Sequence, residues 1–217
     1  MSAKTMANNV QPRVPVTATG RRPLVLASTS RYRRMLLERL GVPFVAVAPE
    51  ADETPLPGET PAATALRLAE AKARSVAEAH PEALIIGSDQ VADCDGQLVG
   101  KPGNHERAVA LLNRLSGRTV VFHTGLALLD AVTCACQSEL VDVRSTFRRL
   151  PATELEAYLR CEQPYDCAGA VRSEALGITL FERIESDDPT ALIGLPLIHL
   201  TTMLRAAGYP VLTSATA

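Results

Sequence analysis

The chain has 217 residues, of which 47% are hydrophobic, and a formal net charge of −2, so it is long enough to bury a substantial core. The balanced charge and the lack of a long Lys/Arg run exclude a protein whose partner is bulk DNA or RNA. No window of the sequence approaches the roughly 18 consecutive apolar residues that a membrane-spanning helix needs.

The first 21 residues are polar and contain proline, without the apolar core of a secretory signal. We therefore expect a disordered extension over residues 1–21 and a single folded domain over residues 22–211. The five cysteines have neither the spacing of a zinc site nor that of a redox Cys-x-x-Cys. This cysteine usage predicts a reduced, cytoplasmic protein.

An apolar strand over residues 23–27 leads into a turn with two hydroxyls, Ser28 and Ser30, and then into a helical pattern with Arg33 and Arg34. Free backbone N–H groups at a helix start favour an anion, and guanidinium groups add paired donors for phosphate. The pattern therefore indicates a polyphosphate site. The alternative, a capped helix with a solvated basic first turn, stays open at this point.

A second strand over residues 44–47 leads into a Pro- and acid-rich loop that contains Asp52 and Glu53. Loops of this kind often carry function. Thr60 and Pro61 then mark a helix start, and apolar residues continue at helical spacing to residue 77. Lys72 lies on this helix, and its spacing alone favours an ordinary solvated lysine.

The third strand, residues 84–86, is followed by Asp89, which we expect at the carboxyl end of the sheet, where open α/β folds bind ligands. A carboxylate there can hold a divalent ion or accept a proton from an attacking water. The alternative role is a cap for the next turn. Asp95-Gly96 predicts a hairpin that returns Lys101 towards Asp89.

The rest of the chain alternates between helical and strand patterns. We predict helices over residues 104–115, 151–160 and 195–207, an antiparallel strand pair over 119–129 and 138–147, and a last strand over 178–185. These elements indicate an α/β protein with a mixed sheet.

Four basic residues suit the cleavage of a phosphoanhydride, in which the protein contributes mainly positioning and charge neutralisation. They are Arg33, Arg34, Lys72 and Lys101. Asp52 or Glu53 together with Asp89 suits a magnesium or manganese ion, which takes phosphate oxygens and waters as its other ligands. Paired acids in a surface loop are also common for solubility alone, so both interpretations stay open.

Several separated motifs resemble, in order, those of the Maf, or septum-formation, nucleotide pyrophosphatases, over nearly all of residues 23–208. They are Leu26-Ala-Ser-Thr-Ser30 with Arg33, Asp52-Glu53-Thr54, Lys72, Gly87-Ser-Asp-Gln90, Gly100-Lys-Pro102 and Ala168-Gly169. The 7-methyl-GTP pyrophosphatase branch of this family is the most similar, through Arg172-Ser-Glu174, Gly177-Ile-Thr-Leu-Phe-Glu-Arg183 and Leu192-Ile-Gly-Leu-Pro196.

The resemblance implies a Maf-like catalytic domain with a strongly twisted mixed sheet, flanking helices and two lobes around a cleft, similar to the inosine triphosphatases. It implies metal-dependent hydrolysis of a modified nucleoside triphosphate to a monophosphate and pyrophosphate. The roles that it implies are these: Asp89 accepts the proton of water, Ser28, Arg33, Lys72 and Lys101 hold phosphates, Glu53 lies near the metal, and Tyr32, Gln90 and Glu174 set base specificity.

An aromatic ring and a carboxylate both suit a methylated guanine, because its ring carries a positive charge. The sequence has Arg31-Tyr32 where the branch usually has proline and an aromatic that is often Trp. Alternative substrates are therefore dTTP, UTP, ITP or XTP. A further alternative is a cell-division regulator that binds nucleotides without turnover, and the resemblance also leaves a homodimer open.

Overall fold

A computed structural model describes residues 22–214 of the protein. The extension predicted over residues 1–21 lies outside the described residues. Seven strands form one sheet: β1 Leu24–Ala27, β2 Val45–Val47, β3 Leu84–Cys94, β4 Gln97–Val99, β5 Thr119–Asp130, β6 Cys136–Phe147 and β7 Phe181–Glu185.

The strand order is β2-β1-β3-β5-β6-β7, and β4 pairs with β3 outside this series. Strand β1 is parallel to β2 and β3, whereas the β3–β4, β3–β5, β5–β6 and β6–β7 pairs are antiparallel. The predicted α/β class with a mixed sheet is confirmed.

The helices are α1 Arg31–Glu38, α2 Pro61–Ser75, α3 His105–Leu115, α4 Ala152–Glu162, α5 Leu197–Ala206 and α6 Val211–Ser214, with 3₁₀ helices at Ala168–Ala170, Leu176–Leu180 and Ala191–Ile193. The predicted helix starts are confirmed at Thr60 and Asn104, whose side chains accept from the first turns of α2 and α3. Among the described residues, no helix is long and apolar enough to cross a membrane.

Two strand predictions were wrong in their bounds. The third strand does not end before Asp89, because its antiparallel pairing with β5 continues to Asp93 and keeps the chain extended. Asp89 therefore lies inside β3 rather than at its carboxyl end. The last strand begins only at Phe181, because Leu176–Leu180 forms a 3₁₀ helix.

An interruption in the sheet explains why Asp89 is nevertheless accessible. The last β1–β3 pair joins Ala27 to Gly87, and the β3–β4 pairing reaches only to Ala92 and Val99. The four residues 88–91 lie between these two pairings, on the edge of β3 where neither β1 nor β4 pairs with it. A cleft opens at this interruption.

Helix α2 lies unusually close to the sheet because two glycines face it. A methyl group added at Gly87 would lie 2.0 Å from the Ala69 carbonyl oxygen, and one at Gly125 would lie 2.2 Å from that of Ala65. Lys72 follows Ala69 by one helical turn, and Asp89 follows Gly87 on the same face of β3. The close approach therefore places the Lys72 side chain over Asp89.

Three groups of buried apolar residues support this arrangement. Two of them cover the opposite faces of β1 and β3, one beneath α1 and α5 and the other beneath α2. The third lies under α3 and α4, against β5 and β6. The cleft lies where the third group meets the group beneath α1 and α5, since its lining includes Phe122 from the former and Ile193, which packs against the latter.

Candidate active site

The cleft has a volume of about 580 Å³. It is lined by residues of the β1–α1 turn and the start of α1, the loop before α2, the strands β3 and β5, Lys72 of α2, Lys101, and two later segments within residues 166–174 and 192–194. It brings together most of the residues that the sequence predicts for the site. These are Ser28, Ser30, Tyr32, Arg33, Glu53, Lys72, Asp89, Gln90, Lys101 and Glu174.

Lys72 lies at the centre of the site. Its Nζ donates to Asp89 Oδ1 at 2.6 Å and contacts Glu53 Oε1 at 2.5 Å. The Lys72 side chain is only 7% exposed, whereas that of Glu53 is 61% exposed. The interpretation of Lys72 as a solvated lysine is therefore wrong, because helix spacing does not reveal how closely α2 approaches β3.

The electrostatics of this group favour an ionised Glu53. The hydrogen bond from Lys72 lowers the pKa of the Glu53 carboxyl, against the opposing effect of burial, and the charges of Lys101 and Arg33 lower it further. The exposed Lys101 thus contributes to the same cation-rich end of the cleft. The antiparallel β3–β4 hairpin brings it there, as predicted from the Asp95-Gly96 turn.

The predicted cap at the start of α1 is confirmed, whereas the polyphosphate site stays a prediction. Ser30 caps α1 by accepting from the Arg33 backbone N–H at 3.4 Å, and Ser28 Oγ accepts from the Ser30 N–H at 3.1 Å. The side chain of Arg33 donates to the Gly194 carbonyl at 2.9 Å. Burial lowers the pKa of Arg33, while Asp89 and Glu53 oppose that shift.

Arg34 is not among the residues that line the cleft. It is exposed on α1, whereas Arg33 lies one turn before the buried Leu36 and Leu37 and shares their face. The rotation of about 100° per helical residue separates the two arginines. The structure therefore does not bring Arg34 to the other cations, contrary to the expectation from sequence.

Sequence reasoning missed the contacts that hold the loop around Gly194 against β3. Ser88 Oγ donates to the Gly194 carbonyl at 2.9 Å, on the face of β3 opposite Asp89. Gly194 has a φ of 113°, which favours glycine. The available signal was the Gly-Leu-Pro sequence before α5, which marks a turn but does not identify its partner.

Gln90 lies on the same face of β3 as Ser88. Its Nε2 donates to the carbonyls of Ala191 and Leu192 at 2.9 and 3.1 Å, and to Thr124 Oγ1 at 3.0 Å. The amide nitrogen therefore holds the Ala191–Ile193 turn at the wall of the cleft.

At the other end of the cleft, two arginines surround the Tyr32 ring. The Arg31 guanidinium carbon lies 4.6 Å from the ring centroid and that of Arg172 lies 5.7 Å from it. Arg31 also donates to the Tyr32 hydroxyl at 2.5 Å. Arg172 Nη1 lies 3.0 Å from Glu162 and its Nε lies 3.9 Å from Glu174, so Glu174 is the more weakly held of these two carboxylates.

The donor set around Lys72 fits a magnesium-type ion better than an all-protein metal centre. No group of three His, Cys, Asp or Glu side chains that could hold a metal occurs within residues 22–214. Glu53 and Asp89 nevertheless bring two carboxylates to one ammonium. Magnesium is commonly bound by one or two carboxylates plus substrate phosphates and waters. This set therefore suits a metal that arrives with a polyphosphate.

Comparison with known proteins agrees with this geometry. The family model described as "Maf-like protein" matches residues 23–207. A 7-methyl-GTP pyrophosphatase of Burkholderia pseudomallei is 64% identical over 190 residues, which cover 86% of this chain and 88% of that protein. Proteins of the same name from Ralstonia nicotianae and Cupriavidus metallidurans are 62% and 59% identical, covering 88% and 86% of this chain and 98% and 94% of their own lengths. With this match and the motif residues assembled around one cleft, the chain belongs to the Maf-like protein family.

Proposed function

We propose that the protein hydrolyses 7-methyl-GTP to 7-methyl-GMP and pyrophosphate. The observation that carries this proposal is the 59–64% identity to relatives named 7-methyl-GTP pyrophosphatases. The cleft supports it, because it holds cations for a polyphosphate at one end and an aromatic ring with a carboxylate at the other.

The triphosphate binds at the Lys72 end of the cleft. Arg33, Lys101 and the N–H groups at the start of α1 neutralise its non-bridging oxygens. Asp89 Oδ1 already accepts from Lys72, so Oδ2 is the oxygen that takes a proton from the attacking water. The water oxygen forms a bond to the α phosphorus. The bond between this phosphorus and the oxygen that bridges to the β phosphate breaks, and pyrophosphate leaves with the electrons of that bond.

Glu53 and Asp89 are the residues that hold a Mg²⁺ or Mn²⁺ ion together with the substrate phosphates. When bound, the ion supplies additional positive charge for the leaving pyrophosphate. Lys72 keeps the two carboxylates close together before substrate arrives, because its ammonium offsets their mutual repulsion.

The base binds at the Tyr32 end. The ring of 7-methylguanine is cationic, so it gains from the Tyr32 face and from the Glu174 carboxylate, which accepts from the imino and amino groups of guanine. Gln90 shapes the wall between the two ends through its bonds to the Ala191–Ile193 turn.

A panel of triphosphates tests this proposal. Purified protein with Mg²⁺ or Mn²⁺ is given 7-methyl-GTP, GTP, dTTP, UTP, ITP or XTP, and pyrophosphate and the nucleoside monophosphate are quantified. We expect the highest kcat/KM for 7-methyl-GTP, with equal amounts of pyrophosphate and 7-methyl-GMP. A higher kcat/KM for dTTP, UTP, ITP or XTP would contradict the assignment of 7-methyl-GTP as the substrate. Binding without any turnover would favour a nucleotide-binding regulator.

We also propose that the protein works in the cytoplasm. All five cysteines are free, which suits a reducing compartment. A homodimer is a separate prediction, which light scattering of the purified protein tests.

A further inference from the structure

The loop that carries Glu53 is fastened along one helix. We call residues 50–59 the strap; it runs antiparallel to α2, and four side chains of that helix hold it. The contacts are Ser75 Oγ with the Glu50 N–H at 3.2 Å, Lys72 with Glu53 at 2.5 Å, Arg67 Nη2 with the Thr54 carbonyl at 3.1 Å, and Thr64 Oγ1 with Glu59 at 2.9 Å.

The strongest of the attachments is between Arg67 and Glu59. Arg67 Nε and Nη2 donate to the two Glu59 oxygens at 2.6 and 2.8 Å, and the Leu56 N–H also donates to Glu59. The Glu59 side chain is only 9% exposed. A bidentate, partly buried ion pair of this kind is stronger and more directional than an ordinary surface salt bridge.

Glu53, in contrast, has little packing of its own. Its side chain is 61% exposed, and the flanking residues Asp52 and Thr54 are exposed as well. Its position therefore depends on its contact with Lys72 and on the backbone beside it. That backbone is fixed at the next residue, where Arg67 binds the Thr54 carbonyl.

We infer that Arg67 and Glu59 are positioning residues that fix the strap so that the Glu53 carboxylate stays on Lys72, facing Asp89. Neither residue lines the cleft. One guanidinium reaches both the Glu59 carboxylate and the Thr54 carbonyl, so it transmits the rigidity of α2 to the residue next to Glu53. This inference rests on the proposed function, in which Glu53 is the second carboxylate of the reaction centre.

A double-mutant cycle tests the inference. Arg67→Gln is expected to lower kcat/KM for the best triphosphate substrate by about 10-fold or more, as losses of supporting contacts around a metal site commonly do. In a Glu53→Gln background Arg67→Gln is expected to lower kcat/KM by less than about twofold, because the carboxylate that Arg67 positions is already absent. If Arg67→Gln lowers kcat/KM by the same factor in the wild-type and Glu53→Gln backgrounds, the inference is overturned.

Control variants separate positioning from loss of stability. Arg74→Gln removes the same charge from an exposed residue of α2 whose ion pair with Glu70 is long, at 3.8 Å, and kcat/KM is expected to stay within about twofold, as for most exposed pairs. Arg67→Lys keeps the positive charge but loses the paired donors of the guanidinium group, so its kcat/KM should lie between those of the wild type and Arg67→Gln. If Arg67→Gln does not fold, Glu59→Gln replaces it in the cycle.

Amide hydrogen exchange tests the strap without any turnover. Arg67→Gln should speed exchange at the hydrogen-bonded strap amides, those of Glu50, Thr54, Leu56 and Glu59, by about 10-fold or more. This is the effect of losing about 1.4 kcal/mol of local stability, while α2 keeps its protection. Unchanged exchange in the strap overturns the inference. Because this readout needs no substrate, failure of the strap is distinguishable from failure of the proposed reaction.

Discussion

The two ends of the cleft are built differently. The Lys72 end comprises Glu53, Lys72 and Asp89, and the Tyr32 end comprises Arg31, Tyr32 and Glu174, with Arg172 beside them. Lys72 and Asp89 are buried and joined by a short hydrogen bond across two elements in close contact. Tyr32 and Glu174 lie on the first turn of α1 and on a loop. The short hydrogen bond of Tyr32 is with its chain neighbour Arg31, and Glu174 lies 3.9 Å from Arg172.

The difference matches what each end must recognise under the proposed function. The phosphoanhydride is the same in every nucleoside triphosphate, so a fixed set of charges serves all of them. The base varies, and its recognition depends on side chains that can change without disturbing the sheet. Substitutions at the Lys72 end should therefore affect all substrates alike, whereas those at the Tyr32 end should change the selectivity.

The largest effect is expected from Lys72→Met, which removes the buried ammonium and leaves two carboxylates facing each other. We expect kcat to fall by about 10²–10³-fold for every triphosphate, the usual cost of losing one preorganised electrostatic partner. Steady-state kinetics across the substrate panel measure it. Arg74→Met, on the same helix but exposed, is the control, and a loss restricted to one base would contradict the division between the two ends.

Glu174→Gln should separate the substrates at the Tyr32 end. Loss of the carboxylate removes a charged hydrogen-bond acceptor, which is worth about 1.5–3 kcal/mol, so selectivity for 7-methyl-GTP over GTP should fall by about 10-fold or more. The ratio of the two kcat/KM values measures it, with the exposed Glu182→Gln as a control. An unchanged ratio would remove Glu174 from base recognition.

Gly87→Ala tests whether the close approach of α2 builds the Lys72 end. The new methyl would overlap the Ala69 carbonyl, so the helix must shift, and we expect a loss of about 1–3 kcal/mol in the free energy of unfolding. Urea denaturation measures this loss. Gly100→Ala is the matched control, because its methyl would meet no atom within 4 Å. Equal stability of the two variants would refute the packing argument.

The smallest effect is expected from Arg31→Gln. The Arg31 guanidinium lies over the Tyr32 ring, where it would compete with a cationic base and repel it. Cation–π contacts at exposed sites are worth about 0.5–1 kcal/mol. The variant should therefore bind 7-methyl-GTP about 2- to 5-fold more tightly, with GTP affected less. Isothermal titration calorimetry tests this against Arg39→Gln, an exposed arginine at the end of the same helix. Weaker binding would mean that Arg31 holds phosphate.

The local parts of the site were predictable from sequence. The β1–α1 turn follows from an apolar run and a capping serine, and Thr60 and Asn104 mark two further helix starts by the same chemistry. The inward direction of Arg33, and not of Arg34, was also readable, because Leu36 and Leu37 lie one turn after Arg33 on the buried face.

The features that depend on partners distant in the sequence were not predictable. The true length of β3 is set by its pairing with β5, so Asp89 was placed at a strand end that does not exist. The burial of Lys72 depends on Gly87 and Gly125, which permit α2 to approach the sheet. The family resemblance implied roles for Lys72 and Asp89, which the structure brings together in one cleft, but it gave no role to Arg67 and did not show that Ser88 contacts Gly194.

The most direct test of the central claim is Asp89→Asn, measured as pyrophosphate release and as binding of 7-methyl-GTP by the same preparation. Asparagine keeps the size of the side chain and an oxygen for Lys72, but it cannot take the proton of water. We predict that release falls by about 10²–10⁴-fold, the usual contribution of a general base, while the Kd changes by a much smaller factor. A variant that releases pyrophosphate at nearly the wild-type rate would contradict the account.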